Sequence, residues 1–165
     1  MIDDSIIPPR ERVKGVVIDS NLLLLLLAGL YDKTQLQKAR GIRKYSIDDF
    51  EKLVKVIAYY NKTITLTPNI ITEICNLSDK LNEESSFKFF RFVESFVEKH
   101  TEFSEATLTT IKKSDSCFYK FGIADASVHN LAMSKCLIIT DDFKLYHLLS
   151  SKGSDVINYN HLRLL

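Results

Sequence analysis

Paired cysteines, charge of one sign and long hydrophobic runs are all missing from this sequence. Its three cysteines, Cys75, Cys117 and Cys136, are odd in number and form no CxxC pair. That argues against a disulfide scaffold or zinc ribbon and for reduced thiols in a cytoplasmic setting. The four histidines are scattered, without zinc-ligand spacing. Net charge is only +1, so no global positive field advertises nucleic acid, and any such binding has to use a local patch. The apolar run Leu22–Leu30 is nine residues long, whereas a spanning helix needs about 20. Extending it backwards meets Asp19, Ser20 and Asn21, which are costly in hydrocarbon. It begins too late, and lacks the small-residue cleavage pattern, for a signal peptide. No membrane segment is expected. Repeats and low-complexity stretches are also missing, the leucines apart.

What is present is globular. With 45% hydrophobic and 26% charged residues over 165 positions, one domain with a substantial core is expected. Residues 1–13 carry Pro8, Pro9 and several charges and read as a mobile N-terminal arm, leaving 14–165 as the domain. Val16–Ile18, Thr63–Leu66, Cys136–Ile139 and Val156–Ile157 are short β-branched or apolar runs that read as buried strands. Helical patterns lie between them. Asn21–Tyr31 is one. Another follows Ser46–Asp49, a capping box, with Phe50, Leu53, Val54 and Ile57 at helical spacing. A third starts at Thr67–Pro68 and carries Ile70, Ile71, Ile74, Leu77 and Leu81. Ser86–His100 repeats Phe89, Phe92, Val93, Phe96 and Val97 on one face, a core face by its periodicity. Leu108–Phe121 is ambiguous and ends at Gly122; Ile123–Ser134 and Asp142–Ser151 follow as helices. Strands alternating with helices predict an α/β domain with a mainly parallel central sheet flanked by helices on both faces.

Four acids fall at equivalent places in this pattern. Asp19 and Asp142 each follow a strand and precede a helix. Glu73 lies in the second turn of the helix after Thr63–Leu66, and Asp125 in the first turn of the helix after Gly122. In an open parallel sheet, sites form beyond the carboxyl ends of the strands, so Asp19, Glu73 and Asp142 face one crevice. Asp125 reaches it if its helix starts toward that edge. Two unit charges about 6 Å apart cost roughly 3 kcal/mol at an effective dielectric near 20. A helix N-terminus offsets under about 1 kcal/mol of this. Either some of the four are protonated or a hard divalent cation sits among them. Oxygen-only ligation points to Mg²⁺ or Mn²⁺ rather than Zn²⁺. One Asp after a strand is most often just an N-cap; the case rests on four together.

"VVIDSN", "TPNIITEI", "GIADAS" and "LIITDD" occur here in the order and roughly the spacing of the PIN domain. From Lys14 to about Leu149 the chain resembles that family, which includes the VapC-type ribonuclease toxins. The resemblance implies a PIN-like α/β fold and a divalent-metal-dependent endoribonuclease, with RNA as substrate. It makes Asp19, Glu73, Asp125 and Asp142 the acidic quartet around Mg²⁺ or Mn²⁺. Asp142 is preferred to Asp141 because the family pattern is Thr-x-Asp, here Thr140-Asp141-Asp142. Asn21 and Thr140 would orient the carboxylates through hydrogen bonds. A toxin role implies an antitoxin partner, and the family leads one to expect a homodimer. The chain departs from compact toxins in its N-terminal arm and in an extra basic and helical segment between Lys33 and Tyr60. The contrasting expectation is a catalytically silent PIN-like module that binds RNA or a protein.

Lys38, Arg40, Arg43 and Lys44 form a local basic run that either grips phosphates beside the crevice or is a solvated connector. Arg10, Arg12 and Lys14 could add to it. His129 shares a helix face with Asp125, but a lone histidine is more readily packed than ligating. Cys75 reads as core. The run Leu22–Leu27 is apolar all round, so part of it is core and the rest is free to meet another subunit. Haloacid-dehalogenase-like phosphatases want a second Asp two residues after the first, where this chain has Asn21. No GxxxxGK or GxGxxG follows a strand.

Overall fold

The computed structural model describes residues 7–37, 42–78 and 83–164. Among them are five strands: β1 (Val16–Ile18), β2 (Thr65–Leu66), β3 (Thr101–Glu102), β4 (Leu137–Thr140) and β5 (Val156–Asn158). A three-stranded sheet runs β1-β4-β5 and a two-stranded one pairs β2 with β3, every pairing parallel. The two are joined where Val16 bridges Ile64 and the Val16 N–H donates to the Thr63 carbonyl at 3.1 Å. The order across the molecule is therefore β3-β2-β1-β4-β5. It reverses direction between β1 and β4, which are buried along their whole length. Buried parallel strands read as near-continuous apolar runs joined by crossovers, and the short V/I/L runs, ended in β4 by the buried Thr140, satisfy that.

The helices are α1 (Ser20–Tyr31), α2 (Ile47–Tyr60), α3 (Pro68–Leu77), α4 (Glu83–Val97), α5 (Thr107–Lys113), α6 (Cys117–Phe121), α7 (Ile123–Met133), α8 (Phe143–Ser151) and α9 (Tyr159–Arg163). The chain is mixed α/β with a small parallel sheet. α1 is its central helix, packed by α2, α3 and α4. Leu22 to Leu27 are all buried, which corrects the expectation that part of the run faces another subunit. Gly29 lets α2 approach, since a Cβ there would lie 2.3 Å from Cδ2 of Phe50. The expected capping box at Ser46–Asp49 is present, both reciprocal bonds included. Thr67 caps α3 by accepting from the Ile70 N–H. The phenylalanine face of α4 packs inward, with Tyr31 edge-on to Phe89 at 5.6 Å. The ambiguous stretch before Gly122 splits into α5 and α6 around Asp115, whose φ of 53° breaks the helix.

The described part of the expected mobile arm, residues 7–13, is anchored instead. Ile7 and Val13 are buried, the Tyr60 hydroxyl donates to the Pro8 carbonyl, and Arg10 Nε donates to the Tyr60 carbonyl. Apolar residues at both ends of a proline-stiffened segment outweigh its charges. Leu81 lies outside the described residues. Among the described residues no helix is long and apolar enough to cross a membrane.

Candidate active site

Each acid is placed by the element that ends or begins at it. Asp19 leaves β1 and caps α1: Oδ1 accepts from the Leu22 N–H at 3.0 Å. Its Oδ2 accepts from the Asp141 N–H at 2.8 Å. One buried carboxylate thus ties the end of β1 to the end of β4, at the reversal of strand order where open α/β sheets form their sites. Asp142 is exposed and caps α8, accepting from the N–H groups of Lys144 at 2.7 Å and Leu145 at 3.2 Å. Thr140 Oγ1 accepts from the Asp142 N–H at 3.0 Å. Glu73 is exposed on α3 and accepts from the Ser20 hydroxyl. Asp125 is half-buried in the first turn of α7.

A cleft of about 390 Å³ brings these together. It is lined by Asp19, Ser20, Asn21, Glu73, Asn76, Leu77, Asp125, Thr140, Asp141 and Asp142. All four expected acids and both supporting residues, Asn21 and Thr140, therefore share it. A fifth acid was not expected. Asp141 turns inward and is the buried member of the Asp141-Asp142 pair. Its Oδ2 accepts from the Tyr45 hydroxyl at 2.6 Å and from the Lys44 ammonium, while Asn21 Nδ2 lies 3.5 Å from Oδ1. The sequence held one signal for this: only one of two adjacent acids can cap α8, so the other is free to turn in. Ser20, Asn76 and Tyr45 carried no such signal. As the side chains stand, no group of three or more Asp, Glu, His or Cys among the described residues is arranged to hold a metal ion.

The charges in the cleft are unevenly compensated. Burial, then the charges of Glu73 and Asp142, push Asp125 up to about 7 from an ordinary 3.8. No donor among the described residues hydrogen-bonds to it. Burial and the charge of Asp141 raise Asp19, and hydrogen bonds from Thr140 and the Leu22 and Asp141 amides offset only part of that. Burial would also raise Asp141, but hydrogen bonds from Lys44 and Tyr45 overcome it and hold the carboxyl below its usual range. In this pair Asp141 carries the charge and Asp19 is the member that takes up a proton. The donor set is all oxygen, which suits Mg²⁺ or Mn²⁺. Asp125, facing two acids and no donor, is where a cation would compensate most.

The basic run divides. Lys38 and Arg40 lie outside the described residues. Arg43 is exposed. Lys44 is half-exposed and does not itself line the cleft, but its ammonium is ion-paired with Asp141, which does. His129 is buried and does not line the cleft. The Lys152 ammonium donates to its Nε2 at 3.1 Å, leaving Nδ1 to face Asn130 Oδ1 at 3.3 Å. Burial lowers its pKa, and it is a packed neutral histidine. Cys75 is half-buried, and Cys117 and Cys136 are buried. Comparison with protein-family models, with curated proteins and with solved structures yields no match for this chain.

Proposed function

We propose that this chain is a divalent-metal-dependent endoribonuclease with a PIN-like fold. One observation carries the reading: acids from the ends of β1 and β4, the first turn of α7 and the side of α3 line a single cleft where the strand order reverses. Asp125, Glu73, Asp142 and Asp19 would hold Mg²⁺ or Mn²⁺, with Asp141 beside them. When bound, such an ion lowers the pKa of a water and neutralises charge developing on a phosphoryl group. The protein's own part is positioning. The Ser20 hydroxyl orients Glu73, and Thr140 holds the backbone that presents Asp142. Asp19 fixes the Asp141 amide and so keeps the ends of β1 and β4 in register. Lys44 and the exposed Arg43 supply positive charge at the rim for the phosphate backbone of single-stranded RNA. A toxin role with an antitoxin partner belongs to the same reading, and so does a homodimer; an antitoxin-like gene beside this one would support the first.

A second reading is a PIN-like module that binds RNA or a protein without cutting it. The Lys44–Asp141 ion pair favours it, as does the absence, among the described residues, of three acids arranged to hold an ion. Labelled single-stranded RNA incubated with Mn²⁺ separates the two. The nuclease reading expects cleavage by the wild type, and none by Asp125→Asn or Glu73→Gln at unchanged RNA binding. Bound but intact RNA at high protein and Mn²⁺ would establish the silent module instead.

A further inference from the structure

Among the described residues, a single ion pair reaches a carboxylate of the cleft, from the Lys44 ammonium to Asp141. The two ends of that pair differ in freedom. The Asp141 side chain is 4% exposed and Lys44's is 52% exposed. Asp141 is also held by Tyr45 and by its own amide on Asp19, so it stays in place whether or not the ammonium is there. The backbone of Lys44 is fixed as well: Arg163 Nη2 donates to its carbonyl at 2.9 Å, and Arg163 Nε is anchored on Asp49 at 3.0 Å. What can move is the four-carbon stem and its hydrated point charge.

The surface shows where that charge could go. Lys44 lines a second groove of about 600 Å³, shared with Phe143, with Lys52 paired to Asp48, and with Arg163 paired to Asp49. Phe143 is 50% exposed there, directly after Asp142 in the chain. An exposed ring in the groove that Lys44 lines is what a single strand leaving the cleft would use for a base, with the Lys44 ammonium near its phosphates.

We infer that Lys44 is the cleft's built-in counter-ion, which neutralises Asp141 in the metal-free protein, yields to an incoming divalent cation, and then meets a phosphate of the RNA strand at the rim. This rests on the metal-dependent nuclease reading. An ammonium on Asp141 and a divalent cation in the same cleft repel each other, so each weakens the other's hold.

The test is a calorimetric titration of the metal-free chain with Mn²⁺ alone. Lys44→Gln is expected to bind Mn²⁺ at least about fivefold more tightly than wild type, the lower end of ordinary coupling between sites. Lys44→Arg and Lys52→Gln are expected to match wild type. Binding by Lys44→Gln but not by wild type would support the proposal in its strongest form. Equal or weaker binding by Lys44→Gln would overturn it while the nuclease reading stands; no binding by either chain would overturn both. The phosphate contact is read from RNA affinity over a salt series, with Ca²⁺ in place of Mn²⁺ to limit cleavage. Lys44→Gln should flatten the log–log slope by about 0.7 with Ca²⁺, and leave it unchanged in chelator. No flattening with Ca²⁺ would remove the hand-over to RNA.

Discussion

Replacing Asp125 by Asn should make the protein more stable at pH 8, not less. The fold holds this carboxyl at about 7 against an ordinary 3.8, through burial and the charges of Glu73 and Asp142. The folded value lies above the unfolded one. Asp125 therefore does no harm below about pH 4, and its stability contribution is lost as pH rises toward 7. Moving a carboxyl that far corresponds to roughly 4 kcal/mol at about 1.36 kcal/mol per tenfold change. Solvent reaches this half-buried group and screens its neighbours, so about 1–2 kcal/mol is the reasonable expectation. An amide has the same shape, carries no charge, and can donate to Glu73 or Asp142. For a domain of this size, about 1 kcal/mol moves Tm by roughly 2–4 °C. Thermal unfolding from pH 4.5 to 8 should show Asp125→Asn gaining over wild type as pH rises, by about 2–8 °C at the top, with a plateau above pH 7. Saturating Mn²⁺ should narrow the gap by stabilising only the chain that can hold it. A variant no more stable than wild type at pH 8, or a gain that is the same at every pH, would refute the claim that Asp125 is held against like charge.

Asp19→Asn also removes a carboxyl raised by burial and by Asp141, but it should lose more than it gains. Both carboxylate oxygens accept backbone N–H groups, and an amide nitrogen cannot accept. The loss should be about 1–3 kcal/mol in urea unfolding at pH 8, and a neutral result would contradict it. Glu73→Gln, on an exposed side chain, should change stability by no more than about 0.5 kcal/mol yet reduce the rise in Tm caused by Mn²⁺; an undiminished rise would take Glu73 out of the ion's surroundings. Gly29→Ala places a methyl 2.3 Å from the Phe50 ring and should cost about 1–3 kcal/mol by overpacking. Phe50→Leu in the same chain should return part of that, and a fully tolerated alanine would mean α1 and α2 are not in that contact.

The elements that were legible are those whose local pattern and tertiary fate agree. β1 and β4 are short, apolar and buried on both faces, and the acid after each begins a helix. α2 announces itself by Ser46 and Asp49 before it packs anything. The unforeseen elements lack that agreement. β3 is two exposed residues, Thr101 and Glu102, paired only with β2; nothing in two polar residues signals a strand. α9 is a five-residue helix capped by Asn158, too short for periodicity to show. Strand order is a matter of long-range pairing, so the reversal between β1 and β4 could not be read from local runs. The gathering of the acids could be read only as a consequence of that topology. The family pattern Thr-x-Asp singles out Asp142 and leaves Asp141 without a role, while in the fold Asp142 is exposed and caps α8 and Asp141 is buried.

The cleft has two halves that differ in how the protein treats negative charge, and the difference bears on where a cation would act. Asp19 and Asp141 are stitched in by backbone amides, Thr140, Tyr45 and Lys44. Removing either leaves donors unpaired in a buried place, which is costly whatever the protein does. Their donors give the fold a reason to hold both, although Asp19, unlike Asp141, is still pushed above its ordinary range. Glu73, Asp125 and Asp142 are different. Asp142 is satisfied by the start of α8 and Glu73 by one hydroxyl, but Asp125 gains nothing from any described donor and loses by burial and by both neighbours. A fold under selection for stability alone has no use for a carboxyl there, since Asn or Ala would serve it better. A carboxyl with no described donor, set among other acids in a cleft, makes Asp125 a candidate site residue. The metal-dependent reading therefore rests more on Asp125 than on Asp19, although Asp19 is the residue that the sequence makes conspicuous.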